Sequence, residues 1–263
     1  MKSSPKATLS PRVILTPLEI NNGTIQVVRD DKLIGGTKQR ALDKYLTDAI
    51  ANGLSEFVYA SPPPGYGQVA LAYSCQQLNV ACTLFCWQLN DEYHEFSLLA
   101  ESFGAKIYPC KSLEDADAAA IEYAKNRPGC IRLPLGFDVP DYIQCLRNEI
   151  SVSWRHITED LGYEPERVWL PVGSTILSNV FRDVVPEEII LNCVTVRLLE
   201  EQDARIQKIT NRPNVNMFST QERFLDPRTD PPAIPSNAHY DAKVWQFIKT
   251  HGQDKDIWWN VAK

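Results

Sequence analysis

The chain has 263 residues, and 44% of them are hydrophobic, which is enough to fill the core of one large domain or two small lobes and excludes wholesale disorder. Its 33 acidic residues outnumber the 27 basic ones, so the net charge is −6. An acidic chain is a poor general binder of duplex DNA or RNA, because that affinity comes mainly from lysines and arginines that displace phosphate counterions. A local pocket for one small anion is compatible with this charge.

The sequence contains no visible secretory signal or membrane-spanning segment. Pro5, Pro11 and Pro17 interrupt the opening residues, and nowhere do about eighteen apolar residues run together. The seven cysteines are scattered and form no C-x-x-C pair, and the histidines lack the spacing of metal ligands. We therefore expect reduced thiols, no metal site, no membrane partner and a cytoplasmic protein.

Apolar patterning predicts that strands and helices alternate along most of the chain. Strands are predicted at residues 24–28, 56–60, 80–85, 106–108, 130–133, 167–172 and 189–196. Helices are predicted at residues 42–50, 67–78, 93–103, 113–125, 140–162, 176–181 and 241–250. Such alternation is typical of a parallel sheet flanked by helices, whose ligands lie at the carboxyl ends of the strands.

The first strand-to-helix turn contains a lysine that follows two glycines. Gly35 and Gly36 allow close backbone approach, and Lys38 lies in the first turn of the predicted helix. There the helix dipole and the neighbouring Arg40 disfavour the ammonium form. A lysine that loses its proton readily is a nucleophile and can form a Schiff base with a carbonyl, including the aldehyde of pyridoxal phosphate. A solvated lysine beside a turn is the alternative interpretation.

The second turn, residues 61–68, contains three consecutive prolines and two glycines. The prolines stiffen the turn, while Gly65 and Gly67 let the backbone fold tightly, which suits a loop that holds a ligand. Tyr66 could stack on a planar ring, and Gln68 could hydrogen-bond a carboxylate or a phenolic oxygen. The alternative is an ordinary rigid connector.

The third turn joins the strand at residues 167–172 to the next helix. Gly173, Ser174 and Thr175 would place backbone N–H groups and two hydroxyls at a helix start, which predicts a phosphate cradle. The pattern G-x-x-x-x-G-K-[ST] is absent, so a nucleoside triphosphate site of that class is not expected. A hydroxyl that merely caps the helix is the alternative.

Two further features lie near the end of the chain. The polar cluster at residues 236–243, which begins with Ser236 and Asn237, opens the last predicted helix and is either a cap or one wall of a site. Trp258 and Trp259 are interpreted as a packing anchor.

The order of these turns resembles the pyridoxal-phosphate enzymes of the tryptophan-synthase-β-like fold, also called fold type II. The motifs RDD and GGTKQR, at residues 29–31 and 35–40, are similar to the Schiff-base segment of the aminocyclopropane-carboxylate deaminase and D-cysteine desulfhydrase branch. Residues 173–175 are similar to the phosphate loop of the family. The resemblance implies an α/β fold with two lobes and three-layer αβα parallel sheets. It places the larger, cofactor-holding lobe at residues 1–40 plus 134–263 and the smaller lobe at residues 41–133, and it makes a homodimer possible.

The resemblance also implies roles for individual residues. Lys38 would be the catalytic residue and would carry pyridoxal 5'-phosphate. The other residues expected to bind the cofactor are Gly65, Tyr66, Gln68, Gly173, Ser174, Thr175, Ser236 and Asn237. The substrate would contact Tyr66, Gln68 and Tyr240. The chain departs from the family because the second turn lacks its usual asparagine and the phosphate loop has fewer glycines.

The motifs RDD, GGTKQR, PGYGQVALA, VGST and SNAHYDAK together resemble a compact bacteriophage branch, some of whose members modify amino-acid-decorated thymidines in phage DNA. This second resemblance implies an amino group or amino acid attached to a pyrimidine as substrate, in the host cytoplasm. Tyr66 would then be a stacking platform, and a single extruded nucleotide would need only a local pocket.

The sequence therefore supports two functions of different classes. The first is a pyridoxal-phosphate-dependent lyase, deaminase or decarboxylase that acts at the α-carbon of an amino-acid-like small molecule or modified nucleotide. The second is a non-catalytic homologue that binds a nucleotide or a partner protein, which the missing asparagine favours. Phosphoribosyl transfer is weaker, because residues 189–196 lack the paired acidic residues that this chemistry requires.

Overall fold

The computed structural model describes residues 10–263, which form ten strands and eight α-helices. The strands are β1 (Leu15–Ile20), β2 (Gly23–Arg29), β3 (Glu56–Ser61), β4 (Ala81–Trp87), β5 (Lys106–Cys110), β6 (Cys130–Leu133), β7 (Arg167–Val172), β8 (Ile190–Thr195), β9 (Val215–Ser219) and β10 (Ile257–Asn260). The helices are α1 (Gly36–Ala51), α2 (Gly67–Leu78), α3 (Glu95–Ser102), α4 (Leu113–Lys125), α5 (Pro140–Leu161), α6 (Ile176–Val184), α7 (Ala204–Thr210) and α8 (Asp241–His251).

The larger sheet has the strand order β1-β2-β10-β7-β8-β9. Its strands pair in parallel except for β1, which is antiparallel to β2 at the edge. Strand β10 inserts between β2 and β7, and its two tryptophans are fully buried on opposite faces, Trp259 in the main core and Trp258 in the core under α8. The last strand of the chain is therefore a central strand of this sheet.

The smaller sheet has the order β5-β4-β3-β6, and all of its pairs are parallel. One face packs against the small residues of α4, where Ala116 and Ala120 contact Val58 and Phe85. The other face joins the main core, which also contains the buried faces of α1, α2 and α5. The helices between the two sheets thus share one continuous core.

The observed elements confirm the fourteen predicted strands and helices, with ends that differ by a few residues except in α1, which begins at Gly36. The prediction did not include α7, β9 or β10 and treated residues before 24 only as an extended opening. Strand β10 was missed because Ile-Trp-Trp-Asn is short and does not alternate: both of its faces are buried, which removes the period-two signal. The predicted lobe boundary at residues 40 and 41 falls inside helix α1. The lobe division stays a prediction.

Two further observations concern the cysteines and the helices. All seven cysteines are free thiols. Among the helices of residues 10–263, none combines the length and the apolar character that a bilayer crossing needs.

Candidate active site

A cleft lies where the carboxyl ends of β3, β7 and β10 meet, and it encloses about 860 Å³ when its mouth is included. The three turns singled out in the sequence all contribute to its lining. They bring Lys38, Tyr66 and residues 173–175 together, and the start of α8 adds Tyr240. Parallel strands place these turns at one edge, because each strand ends on the same side of its sheet.

Lys38 is the third residue of α1, and its side chain lines the cleft. Burial lowers the pKa of its ammonium group from 10.5 to about 8, because the charged form loses its hydration. Within residues 10–263 its amine has no hydrogen-bond or ion-pair partner. The sequence interpretation attributed a lowered pKa partly to Arg40, but the guanidinium of Arg40 is paired with Asp30 at 2.6 Å, and burial is the cause.

A buried network fixes the start of α1. The carboxylate of Asp30 accepts hydrogen bonds from the Thr37 hydroxyl at 2.8 Å and from Trp259 Nε1 at 3.1 Å, in addition to the Arg40 ion pair. The backbone N–H of Thr37 donates to the Val261 carbonyl at 2.9 Å. Because Lys38 follows Thr37 directly, this network positions the lysine from β10. The motif GGTKQR revealed the lysine, but no local signal linked it to Trp259.

The turn at residues 173–175 presents free backbone donors to the cleft. The amides of Gly173, Ser174 and Thr175 donate to no other group in the described part of the chain, and the first amides of α6 lack helical acceptors. The N-terminus of a helix with free N–H groups is a natural site for an anion. The turn lines the same cleft as Lys38.

Backbone geometry in this turn is unusual. Thr175 has a φ of 70°, in the left-handed region that β-branched residues avoid. Gly136, at a φ of 77°, packs so closely that a Cβ there would overlap the hydroxyl of Ser174. A Cβ on Gly173 would lie 3.1 Å from the ring of Tyr240. The turn is therefore held in a strained shape by close neighbours, which is common at ligand sites.

The second turn places Tyr66 in the cleft but turns Gln68 away from it. Tyr66 packs edge-on against Phe96 with ring centroids 5.0 Å apart, and burial raises the pKa of its hydroxyl to about 12. Gln68 is fully buried: its Nε2 donates to the Pro63 carbonyl at 3.0 Å, and its Oε1 accepts from the Ser97 hydroxyl at 2.8 Å. Gln68 thus supports the turn from behind and does not line the cleft, and the contact role expected for it stays a prediction.

Of the residues predicted for the site at the start of α8, one lines the cleft and two do not. Tyr240 lines the cleft beside Gly173, and burial raises the pKa of its hydroxyl. Ser236 and Asn237 do not line it, because the Asn237 N–H donates to the Ala262 carbonyl at 2.9 Å and its Oδ1 accepts from the His239 N–H at 3.0 Å. Ser236 Oγ and Asn237 Nδ2 are buried without a partner in the described structure. Neither residue lines the cleft, and the contact with a cofactor expected for them stays a prediction.

Comparison with solved structures finds matches to this chain, whereas comparison of its sequence does not. No protein-family model and no curated protein matches the chain. It is similar to a solved aminocyclopropane-carboxylate deaminase homologue at a TM-score of 0.74 and 14% identity, over 99% of this chain and 92% of that one. A fungal L-serine ammonia-lyase from Rhizomucor miehei matches at 0.71 and 12% identity, over 97% and 94% of the two chains.

A third solved structure, a pyridoxal 5'-phosphate-dependent aspartate racemase, matches at a TM-score of 0.67 and 15% identity, over 97% of this chain and 89% of that one. Identities this low carry the fold and not the activity. Both the strand orders and these matches give the same answer: the chain has the two-lobed, three-layer αβα architecture of the fold type II pyridoxal-phosphate enzymes.

Proposed function

We propose that this protein is a pyridoxal-phosphate-dependent enzyme of the lyase or deaminase type, which acts at the α-carbon of a substrate that carries an amino group. The observation that carries this proposal is the pairing of two features in one cleft. Lys38 supplies an amine without a partner whose pKa is about 8, and residues 173–175 supply free amides for an anion. One of the similar solved structures is described as a pyridoxal 5'-phosphate-dependent enzyme, which supports the same choice of cofactor.

The residues of the cleft fit this cofactor. The free amides of Gly173, Ser174 and Thr175, with the Ser174 and Thr175 hydroxyls, would bind its phosphate. Tyr240, which packs over Gly173, would contact its ring, and Lys38 would bind its carbon skeleton. When bound, pyridoxal phosphate supplies an aldehyde that forms a Schiff base with amines and a ring that accepts electrons from the bonds of the α-carbon.

Lys38 can transfer protons in this cleft. At a pKa near 8 its Nζ is neutral in a substantial fraction of molecules at neutral to mildly alkaline pH, so it can act as a nucleophile and as a base. The Asp30 network holds the start of α1, and with it the backbone of Lys38, in place. Tyr66 and the proline turn form one side of the cleft.

Chemical trapping tests this proposal. We expect the purified protein incubated with pyridoxal phosphate to gain the absorbance band of lysine-bound cofactor, and borohydride to fix the cofactor on Lys38, as read by peptide mass. Lys38→Ala should abolish both signals. Lys44→Ala is the matched control, because Lys44 lies on the same helix, is exposed and should leave both signals unchanged. Label spread evenly over surface lysines would contradict the proposal.

The amino group of the substrate is proposed to be carried on a modified thymidine of phage DNA, as the second sequence resemblance implies. Support within the cleft comes from Tyr66, whose ring is available to a pyrimidine. Single-stranded oligonucleotides with one aminoacyl-thymidine should change the absorbance of the holoenzyme, and unmodified oligonucleotides should not. A response only to free amino acids would contradict this substrate.

A non-catalytic homologue is the second candidate, and the position of Gln68 favours it. The second turn provides no polar side chain to the cleft besides Tyr66, since Gln68 is buried behind the turn. Titration with pyridoxal phosphate separates the two candidates. A binding protein would give no borohydride-stable adduct on Lys38 even at high cofactor concentration.

A further inference from the structure

We propose that His94 and His239 form a latch, which joins two walls of the cleft while both imidazoles are neutral and releases them in mildly acidic solution. The latch consists of these two side chains. It controls access to the cleft whatever reaction takes place there, so it goes beyond the proposed function. The ring contacts, the positions of the imidazole protons and the surrounding charges carry the inference.

A continuous series of ring contacts runs from one wall of the cleft to the other. Tyr66 packs against Phe96 with ring centroids 5.0 Å apart, and Phe96 packs against His94 at 4.8 Å. His94 meets His239 edge-on at 5.7 Å. His239 directly precedes Tyr240, and Tyr66 and Tyr240 both line the cleft. The contact of the two histidines therefore joins the wall carried by α2 and α3 to the wall at the start of α8.

Hydrogen bonds fix which nitrogen of each neutral ring carries the proton. His94 Nδ1 caps α3 by accepting from the Phe96 N–H at 3.2 Å, so the proton of this ring is on Nε2. His239 Nδ1 lies 3.2 Å from the Phe224 carbonyl, which can only accept, so the proton of this ring is on Nδ1. A second proton on His94 must enter at Nδ1, where it displaces the Phe96 N–H and ends the cap.

The surroundings of the latch oppose positive charge on either ring. Burial lowers the pKa of His94, and it lowers the pKa of His239 to about 4. A cation at His94 would also lie at the positive end of the α3 dipole. The ammonium group of Lys243 on α8 further disfavours a proton on His239. Protonation of either ring therefore costs free energy as long as the latch is closed.

The acidic groups that face the latch compensate an imidazolium only weakly. The other charged residues around it are Glu95 of α3 and, from the segment before α8, Asp226 with its partner Arg223 and Glu222 with its partner Arg228. The two acidic groups of that segment are held by their arginines at 2.9 Å and 2.6 Å, and Glu95 is exposed to solvent. Separation of the walls lets water reach the protonated rings, so it stabilises them.

The pH range of release follows from the pKa of His239. Its ordinary value of 6.5 applies to the open form, in which the ring is hydrated, and the value of about 4 applies to the closed form. Between these values the open form binds more protons, so opening is favoured as the pH falls below 6.5, and the effect is complete below 4. At pH 5 the ratio of open to closed molecules should be about twentyfold higher than at pH 7.5.

Amide hydrogen exchange on the full chain tests the latch without an added ligand. Each exchange rate is divided by the rate of the same amide in an unfolded chain, which removes the pH dependence of the exchange chemistry. The protection of residues 95–98 and 239–243 should fall about twentyfold from pH 7.5 to pH 5. The protection of β8, a central strand of the larger sheet, should stay constant and shows that the molecule as a whole has not unfolded.

Two substitutions remove the titration but keep the backbone contacts. His94→Asn retains an acceptor for the Phe96 N–H, and His239→Asn retains a donor for the Phe224 carbonyl. The protection of the double variant should change less than about twofold between the two pH values. His156→Asn, on α5, is the matched control and should respond as the unmodified protein does. An equal fall in the double variant, a fall that includes β8, or no fall at all would overturn the inference.

A second measurement tests access to the cleft. Pyridoxine 5'-phosphate carries the phosphate of the proposed cofactor but has no aldehyde, so it does not react with Lys38. At pH 7.5 it should associate about fivefold or more faster with the double variant than with the unmodified protein, and at pH 5 the two rates should converge. Equal rates at both pH values would overturn the control of access. If neither protein binds this compound, the proposed phosphate site fails, and the exchange measurement alone decides whether the latch exists.

Discussion

Trp259 Nε1 donates to Asp30 Oδ2 at 3.1 Å and to Thr37 Oγ1 at 2.9 Å, and so joins the last strand to the turn that precedes Lys38. The ring of Trp259 also packs edge-on against Phe181 of α6, with centroids 4.8 Å apart. One side chain therefore links the lysine-bearing turn and the helix that follows residues 173–175. This arrangement explains how two halves of the cleft, far apart in sequence, keep a fixed geometry.

Trp259→Phe tests this link. The substitution keeps an aromatic ring against Phe181 but removes the only donor of the indole, so Asp30 and Thr37 lose a buried partner. We expect the free energy of unfolding to fall by about 1–3 kcal/mol in urea denaturation. The yield of cofactor trapped on Lys38 should fall as well. Trp245→Phe is the control, because Trp245 stacks on Trp258 and its indole has no hydrogen-bond partner in the described chain; an equal loss in both variants would refute the link.

Gly136→Ala tests the support of the phosphate turn. A Cβ at this position would overlap the Ser174 hydroxyl, and the residue also has a positive φ of 77°. Gly53→Ala is the matched control, since Gly53 has a φ of 91° but nothing within 4 Å of a Cβ. The control should lose about 1 kcal/mol of stability from backbone strain alone. Gly136→Ala should lose more and should also bind pyridoxal phosphate at least tenfold more weakly in an absorbance titration (about 1.4 kcal/mol). Equal cofactor affinity in the two variants would contradict the role of Gly136.

Thr175→Gly separates stability from ligand binding at the same turn. Thr175 has a φ of 70°, which costs a β-branched residue about 1–2 kcal/mol. Glycine removes this strain, so thermal unfolding should show equal or higher stability despite the lost side chain. Cofactor affinity should nevertheless fall about tenfold, because a hydroxyl donor is lost. Thr175→Ser, which keeps the hydroxyl, should retain the affinity, and a Ser variant as weak as the Gly variant would assign the phosphate contact elsewhere.

Lys38 should make stability depend on pH in a defined window. Its pKa is about 8 in the folded apoprotein and 10.5 as the reference for the unfolded chain. Between these values the unfolded chain binds more protons, so the destabilising effect of the buried ammonium is complete below pH 8 and disappears as the pH rises toward 10.5. Lys38→Met should therefore stabilise the apoprotein by about 2–3 kcal/mol at pH 7 and by little near pH 10.5. A difference that does not change with pH would contradict the lowered pKa, and Lys44→Met, at an exposed site, provides the reference.

Local sequence signals pointed to the backbone turns that line the cleft. Lys38 could be found because two glycines and a helix start surround it, and residues 173–175 because a glycine and two hydroxyls end a buried strand. Gln68 could not be placed, because its direction is set by Ser97 of α3 and by the Pro63 carbonyl, and these contacts exist only after packing. Nothing in the sequence around Gly136 pointed to the cleft, since its close packing involves Ser174, which is distant in sequence. The features that the sequence could not reveal depend on contacts between distant segments, and local propensities carry no information about such contacts.

The position of β10 has a consequence for how the protein is made. In the larger sheet this strand lies between β2 and β7, yet it leaves the ribosome after every other strand. A nascent chain that has not yet released Ile257–Asn260 has a gap in the middle of its sheet and no indole to hold the lysine-bearing turn. The cleft can therefore form only after β10 has been released, because β10 pairs with residues of β2 that lie more than two hundred positions earlier in the chain. Chains that lack β10 would thus be unable to capture a ligand, which distinguishes them from chains in which this strand is in place.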